Sequence, residues 1–381
     1  MIEVKSLEQL EEAVARCISL DWKLLESLRE EIREHLKSKV KQIREYTATS
    51  ISLVATDGGE NQLRFDPFLI QLIRVVDSAS NEYFLEVISP TTPIEELDKR
   101  HLPSDGEPQT ALGKMMKTLG VKSLSELSPM IRPNKEGKPV SPTWVQVYRE
   151  IVEWAVLFSL LEKDFASDVL IVRDGLLRSK VFAKNYFINL IDKISERLKS
   201  YSQQKKRNIY IVGVAKKSKV LLRYRLAMAL EGILRTDGPA YVEVPRGIEE
   251  KVYEWPEYAR GDDNIMEGKE ANKYVGGNMF LVKFGPHPHD PIWPVDILSS
   301  QIEQADKILG YLRKDAVYGF PIPYYPLCLQ KAHENAALAG FDFDIVQDYI
   351  YKVIRNKLDN EAKILDSFQL QDSNPAQKRY Q

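Results

Sequence analysis

The sequence predicts an α/β protein built on one mixed sheet flanked by helices, with an N-terminal helical arm and added C-terminal strands and helices. Three observations carry that prediction. Runs rich in apolar and β-branched residues at 50–56, 68–76 and 83–88 are joined by short polar connections, the pattern of an antiparallel meander. From residue 144 onward, helical and strand-like periodicities alternate, as they do where crossovers build parallel pairs. Finally, two apolar runs more than a hundred residues apart each lead into Asp-Gly, at Asp57-Gly58 and Asp174-Gly175. Right-handed crossovers lay the fourth strand parallel to the first and beside it, which brings both carboxylates to one sheet edge.

The N-terminal stretch to about residue 47 is rich in Leu, Glu, Lys and Arg. Its apolar residues return at helical intervals (Leu10, Ala13, Val14, Cys17, then Leu24, Leu25, Leu28, Ile32). Two or three amphipathic helices are expected, serving as a packing layer or dimer arm, since acids and bases are too intermixed for a nucleic-acid surface. The main domain then runs over 48–358. Within it, 89–142 is Pro-rich (SPTTP, LPSDGEP, RPNKEGKP) and reads as an insertion or lid with a short helix at 111–119 and little core of its own. Ser141-Pro142-Thr143 start a helix that is apolar on most sides and therefore buried. Next come the strand ending at Asp174, a helix at 181–201, a strand at 209–214 and a helix at 221–234. Strands at 241–245 and 278–284 and helices at 295–313, 325–338 and 343–356 complete the domain. From 359 to 381 the chain is a polar tail.

At 381 residues and 44% hydrophobic, the chain can bury a large core, while a net charge of -2 restricts any phosphate contact to local clusters of Lys and Arg. Cys17 and Cys328 are too few for a disulfide framework or a Cys-rich zinc site and suit a reducing compartment. The start lacks a signal-peptide layout, and Glu153 interrupts the most apolar run, IVEWAVLFSLL, so a cytoplasmic protein with no membrane span is expected. GxxxxGK[ST] is missing, which argues against a P-loop ATPase.

Hard divalent cations take oxygen ligands, and phosphoryl-transfer sites hold them with a few carboxylates, so Asp57 and Asp174 suit a metal. Taken singly, Asp-Gly is also the commonest turn dipeptide. Glu153, charged among Ile151, Val152, Trp154 and Ala155, is a candidate third ligand, with Glu150 the alternative because helix rotation is open. Arg149, four residues earlier, offers an ordinary ion pair instead. Lys216, Lys217 and Lys219 follow the strand at 209–214 and are placed to hold a phosphate backbone, or else to solvate a helix start. Tyr325 and His333 lie eight residues apart, about two helical turns. His287 and His289, between prolines, read as an ordered loop rather than a metal site.

Together these stretches resemble the NurA family of nucleases. The matching parts are VATDGG with Asp57, the helix bearing Arg149 and Glu153, IVRDGLLR with Asp174, GVAKKSK with Lys216, and PYYPLCLQKAH with Tyr325 and His333, in that order over about 50–340. The resemblance implies a ribonuclease H-like core and a manganese- or magnesium-dependent DNA nuclease, of single-strand endonuclease and 5'-3' exonuclease type. It also implies a homodimer that works with a HerA-like hexameric ATPase in DNA end resection and repair. Asp57, Glu153, Asp174 and His333 would bind metal, Tyr325 would support them, and Arg149 and Lys216 would position phosphate. Departures are Gly59 and Leu176 where the family commonly has Ser, and Arg173 where an apolar residue is more usual. The alternative reading is a catalytically silent DNA-binding or scaffold subunit of a motor ATPase complex; a small-molecule phosphohydrolase is a third.

Overall fold

In the computed structural model, residues 4–44, 52–65, 68–104, 106–139, 143–253, 273–337 and 341–358 are described. Helix α1 (Val4–His35) is continuous, not the two or three shorter helices expected, because no Gly or Pro interrupts its 32 residues. A two-residue strand, β1 (Lys41–Gln42), follows. The meander is β2 (Ser52–Phe65), β3 (Phe68–Asp77) and β4 (Glu82–Ile88). Strand β2 does not turn at Asp57-Gly58 as the sequence suggested. It continues through it, with Asp57 opposite Val76, Gly58 opposite Val75 and Gly59 opposite Arg74.

The stretch 89–142 contains α2 (Ile94–His101), α3 (Ala111–Leu119) and α4 (Leu124–Leu127). Their residues Ile94, Leu97, Leu112, Met115, Met116, Leu124 and Leu127 are buried in the same core as the next helix, α5 (Trp144–Leu160). The insertion is thus a packed layer rather than a coreless lid. His101 docks it on α5, with its Nε2 2.7 Å from the Tyr148 hydroxyl, which in turn donates to Glu86.

Strand β5 (Val169–Asp174), α6 (Tyr186–Lys205), β6 (Ile209–Val214) and α7 (Lys219–Glu231) come next. After β7 (Ala240–Glu243) and α8 (Arg246–Glu250) come β8 (Gly277–Lys283) and β9 (Ile292–Leu298), then α9 (Ala305–Ala316), α10 (Leu327–Ala336) and α11 (Phe341–Leu358). Strand β9 corrects the helix expected from residue 295: Trp293, Val295 and Ile297 alternate onto a buried face. Pro294 is tolerated because it lies at the end of the β6 ladder, where its carbonyl still accepts from the Ala215 N–H at 3.1 Å.

The strand order is β1-β7-β8-β9-β6-β5-β2-β3-β4. Strands β2, β5 and β6 run parallel, as the alternating pattern predicted, and the remaining pairings are antiparallel. In the segment β4-β3-β2-β5-β6 the antiparallel meander is joined to the parallel strands through β2, as the sequence pattern predicted, and β9, β8, β7 and β1 extend it. Both faces of the centre are covered: Val169 and Ile171 of β5 join the core under α5 and α6, while Leu170 and Val172 join that under α9 and α10. Strand β6 pairs with β9 only over Val212–Val214. Upstream, the side-chain amide of Gln301 takes the absent strand's place, donating to the Ile209 carbonyl (2.7 Å) and accepting from the Ile211 N–H (2.9 Å). No described helix is long and apolar enough to cross a membrane.

Candidate metal centre

The parallel β2–β5 ladder ends with Thr56 opposite Arg173, so the next residue on each strand is an aspartate. Asp174 closes β5, while Asp57 is held within β2, where the Gly58 N–H donates to its Oδ1 at 2.8 Å. Helix α10 packs against this sheet: the Asn335 carbonyl accepts from Arg74 (2.8 Å), and its amide donates to the Asp77 carbonyl (3.1 Å). That places His333 over the strands, with Nδ1 2.7 Å from Asp57 Oδ2. One ligand atom each from Asp57, Asp174 and His333 lies within 4.8 Å of the others.

Tyr325 enters from just before α10. Its hydroxyl is 3.2 Å from Asp174 Oδ1, and its buried ring meets Trp293 edge-on at 4.9 Å. Burial, then the charge of Asp174, keeps the phenol far above its ordinary range, so it serves as a neutral donor. Asp174 itself is pushed upward by burial and by the Asp57 charge, with Lys216 and Tyr325 opposing. Burial and the neighbouring carboxylate thus both disfavour its charged form.

Glu153 stands beside this trio but outside it. Its Oε2 accepts from Arg173 Nη2 at 3.1 Å, and its Oε1 is 3.5 Å from Arg149 Nε. Burial raises its carboxyl to about 7, against the pull of Arg173 and Arg149. A Cβ at Gly58 would collide with Glu153 Oε1, which explains a glycine inside a strand. Glu150 points elsewhere and accepts from the Ser179 hydroxyl at 2.5 Å.

Ser218 caps α7 through the Leu221 N–H at 3.0 Å, and the residues just before it are the exposed Lys216 and Lys217. Lys216 reaches over the Tyr325 ring, 5.7 Å from its centroid. His287 and His289 lie in the β8–β9 connection and join no metal-ligating group among the described residues. That loop is instead ordered by buried Lys283, whose ammonium donates to the carbonyls of Thr236 (2.9 Å), Gly238 (2.6 Å), Gly285 (3.2 Å) and His287 (3.0 Å).

Two features escaped sequence reasoning. Arg173 is 8% exposed and pairs with Glu153, although a charged residue inside the apolar run IVRD was itself a signal. Arg178 is also buried and bidentate to both Asp296 (2.8 and 3.0 Å) and Glu249 (3.0 and 3.0 Å), which ties the segment after Asp174 to β9 and α8. No local pattern links residues so far apart.

No protein-family profile matches the chain, and no curated protein does. Solved structures similar to it include the NurA nuclease from Sulfolobus solfataricus, at 11% identity and a TM-score of 0.40, spanning 94% of this chain and 98% of that one. NurA bound to dAMP and manganese is another, also at 11% identity, with a TM-score of 0.45 and 93% and 99% of the two chains covered.

Proposed function

We propose that the chain is a divalent-metal-dependent nuclease that hydrolyses DNA phosphodiesters at the Asp57, Asp174 and His333 cluster. The observation that carries this reading is the convergence of those three side chains, from β2, β5 and α10, on one point. Two carboxylates and one imidazole suit manganese or magnesium, and the upward shift of Asp174 marks a pocket that a cation would relieve. Asp57, Asp174 and His333 would hold the cation, which would supply polarisation of the phosphodiester and a water nucleophilic near neutral pH.

The protein's own groups do the rest. His333, its Nδ1 2.7 Å from Asp57 Oδ2 and its side chain 63% exposed, would offer a ring nitrogen to the cation. Tyr325 fixes the orientation of Asp174. Lys216, beside the Tyr325 ring, and Arg149, beside Glu153, would offer positive charge suited to a phosphate backbone, with the exposed Lys217 next to Lys216 in the chain. Glu153 acts as a positioning residue through Arg173 and Gly58.

The finer reading follows the motif resemblance: end processing in DNA repair, as single-strand endonuclease and 5'-3' exonuclease, by a homodimer working with a HerA-like ATPase in the cytoplasm. Exposed apolar residues at helical spacing on α1 (Leu7, Leu10, Val14, Ile18) and on α7 (Leu222, Leu226, Leu230) support an association surface. The direct test is cleavage of single-stranded DNA with manganese by wild type, Asp57→Asn and Asp174→Asn. Wild type should cut, and either substitution should reduce the rate by at least about a hundredfold. DNA binding without any metal-dependent cleavage would favour the silent scaffold instead.

A further inference from the structure

Two-metal nuclease sites set their cations about 3.5–4 Å apart and need carboxylates for both. Here the third acid near the cluster, Glu153, is already engaged. Both oxygens of Glu153 face guanidinium groups, Oε2 at 3.1 Å from Arg173 and Oε1 at 3.5 Å from Arg149. Arg173 is also firmly built in. Its Nη1 donates to the carbonyls of Asp174 and Leu176, each at 3.1 Å, and its plane lies over the Trp154 ring at 4.8 Å. Gly175, at φ +97°, makes the necessary room, since a Cβ there would come within 2.7 Å of Nη1. Arg173 thus sits one residue from Asp174 on β5 and bonds Asp174's own carbonyl. A guanidinium stays charged at any pH a folded protein meets.

We infer that this site takes a single divalent cation, on Asp57, Asp174 and His333, and that Arg173 occupies with fixed positive charge the ground on which a second cation would bind. The inference rests on the metal-dependent reading proposed above. Its chemical consequence is that stabilisation of the departing oxygen falls to the protein's own cations, with Lys216 over the Tyr325 ring and Arg149 beside Glu153 as the candidates.

Manganese stoichiometry decides it without any activity measurement. Free manganese gives a sharp six-line paramagnetic resonance signal that broadens on binding, so titrating the full chain counts ions per polypeptide. Wild type should bind one, and Arg173→Met, which frees Glu153, should bind a second. Arg173→Lys should stay at one. Glu153→Gln should still bind one ion per chain, whereas Asp174→Asn should weaken the affinity by more than about a hundredfold. Two ions in wild type, or loss of the first ion in Glu153→Gln, would overturn the inference while leaving a metal enzyme intact. No ion in wild type would overturn the metal reading as well. Should Arg173→Met fail to fold, the wild-type count and the Glu153→Gln titration still distinguish one ion from two.

Discussion

Asp57 Oδ2 and His333 Nδ1 are 2.7 Å apart although 276 residues separate them in the chain. The pair exists because α10 can lie directly on β2, and it can do so because Gly59 has no side chain. A Cβ there would collide with the Ala336 carbonyl oxygen and come within 2.8 Å of its carbon.

Gly59→Ala should therefore act through the helix. The obstacle is backbone, which cannot rotate aside, so α10 must shift and take His333 with it. Overpacking of this kind costs about 1–3 kcal/mol. DNA cleavage should fall further than that loss explains, as judged by a thermal melt beside a rate measurement on folded protein. Gly58→Ala, whose obstacle is the movable Glu153 side chain, should be the milder of the two.

Tyr325→Phe should leave the fold intact, because the ring and its contact with Trp293 remain. It removes the donor 3.2 Å from Asp174. Outer-sphere partners of this kind are typically worth about 10- to 100-fold in metal affinity or activity. Titration calorimetry with manganese reads the affinity, and an unchanged value would show that the hydroxyl does not orient the carboxylate.

Arg178→Leu should be destabilising well beyond an ordinary surface change. It leaves Asp296 and Glu249, both fully buried, without their shared cation. Removing one partner of a buried ion pair costs about 3–5 kcal/mol. Urea unfolding measures it; a loss under about 1 kcal/mol would place the triad among solvent-screened pairs.

Glu231 on α7 accepts from Arg33 and Arg29 of α1 at 2.9 Å each, and these bonds, Arg33 foremost, hold its carboxyl down from 4.5 to about 2. Because the folded value lies below the unfolded one, the stabilisation is complete above about pH 4.5 and disappears as pH falls through about 2. Comparing urea midpoints of wild type and Glu231→Gln between pH 6 and pH 3 should show the wild-type advantage shrinking with acid. A constant difference would mean that this link does not hold α1 to α7.

Much of the architecture was legible because period-2 and period-3.6 patterns survive wherever a face is buried. Val169 to Val172 and Ile209 to Val214 announced the central parallel strands, and their order put Asp57 beside Asp174. Strand β9 was not legible, since Pro294 and Asp296 disguise it. Asp296 is tolerated there only through Arg178, 118 residues earlier. The run of β2 past Asp57 was hidden for a related reason: Gly58-Gly59 looks like a turn in sequence, and only the tertiary neighbours Glu153 and Ala336 reveal it as clearance. Sequence also placed Glu153 near the acids without showing that two arginines already hold it.

The Gln301 amide at the start of β6 has a meaning for the protein's behaviour in a crowded solution. A row of bare N–H and C=O groups in a sheet invites another chain to add itself as an extra strand and so begin a fibre. One side chain, bonded to Ile209 and Ile211, closes that row where β9 does not reach. Losing this amide would expose a sticky seam in mid-sheet, so its value lies as much in keeping molecules apart as in holding one together.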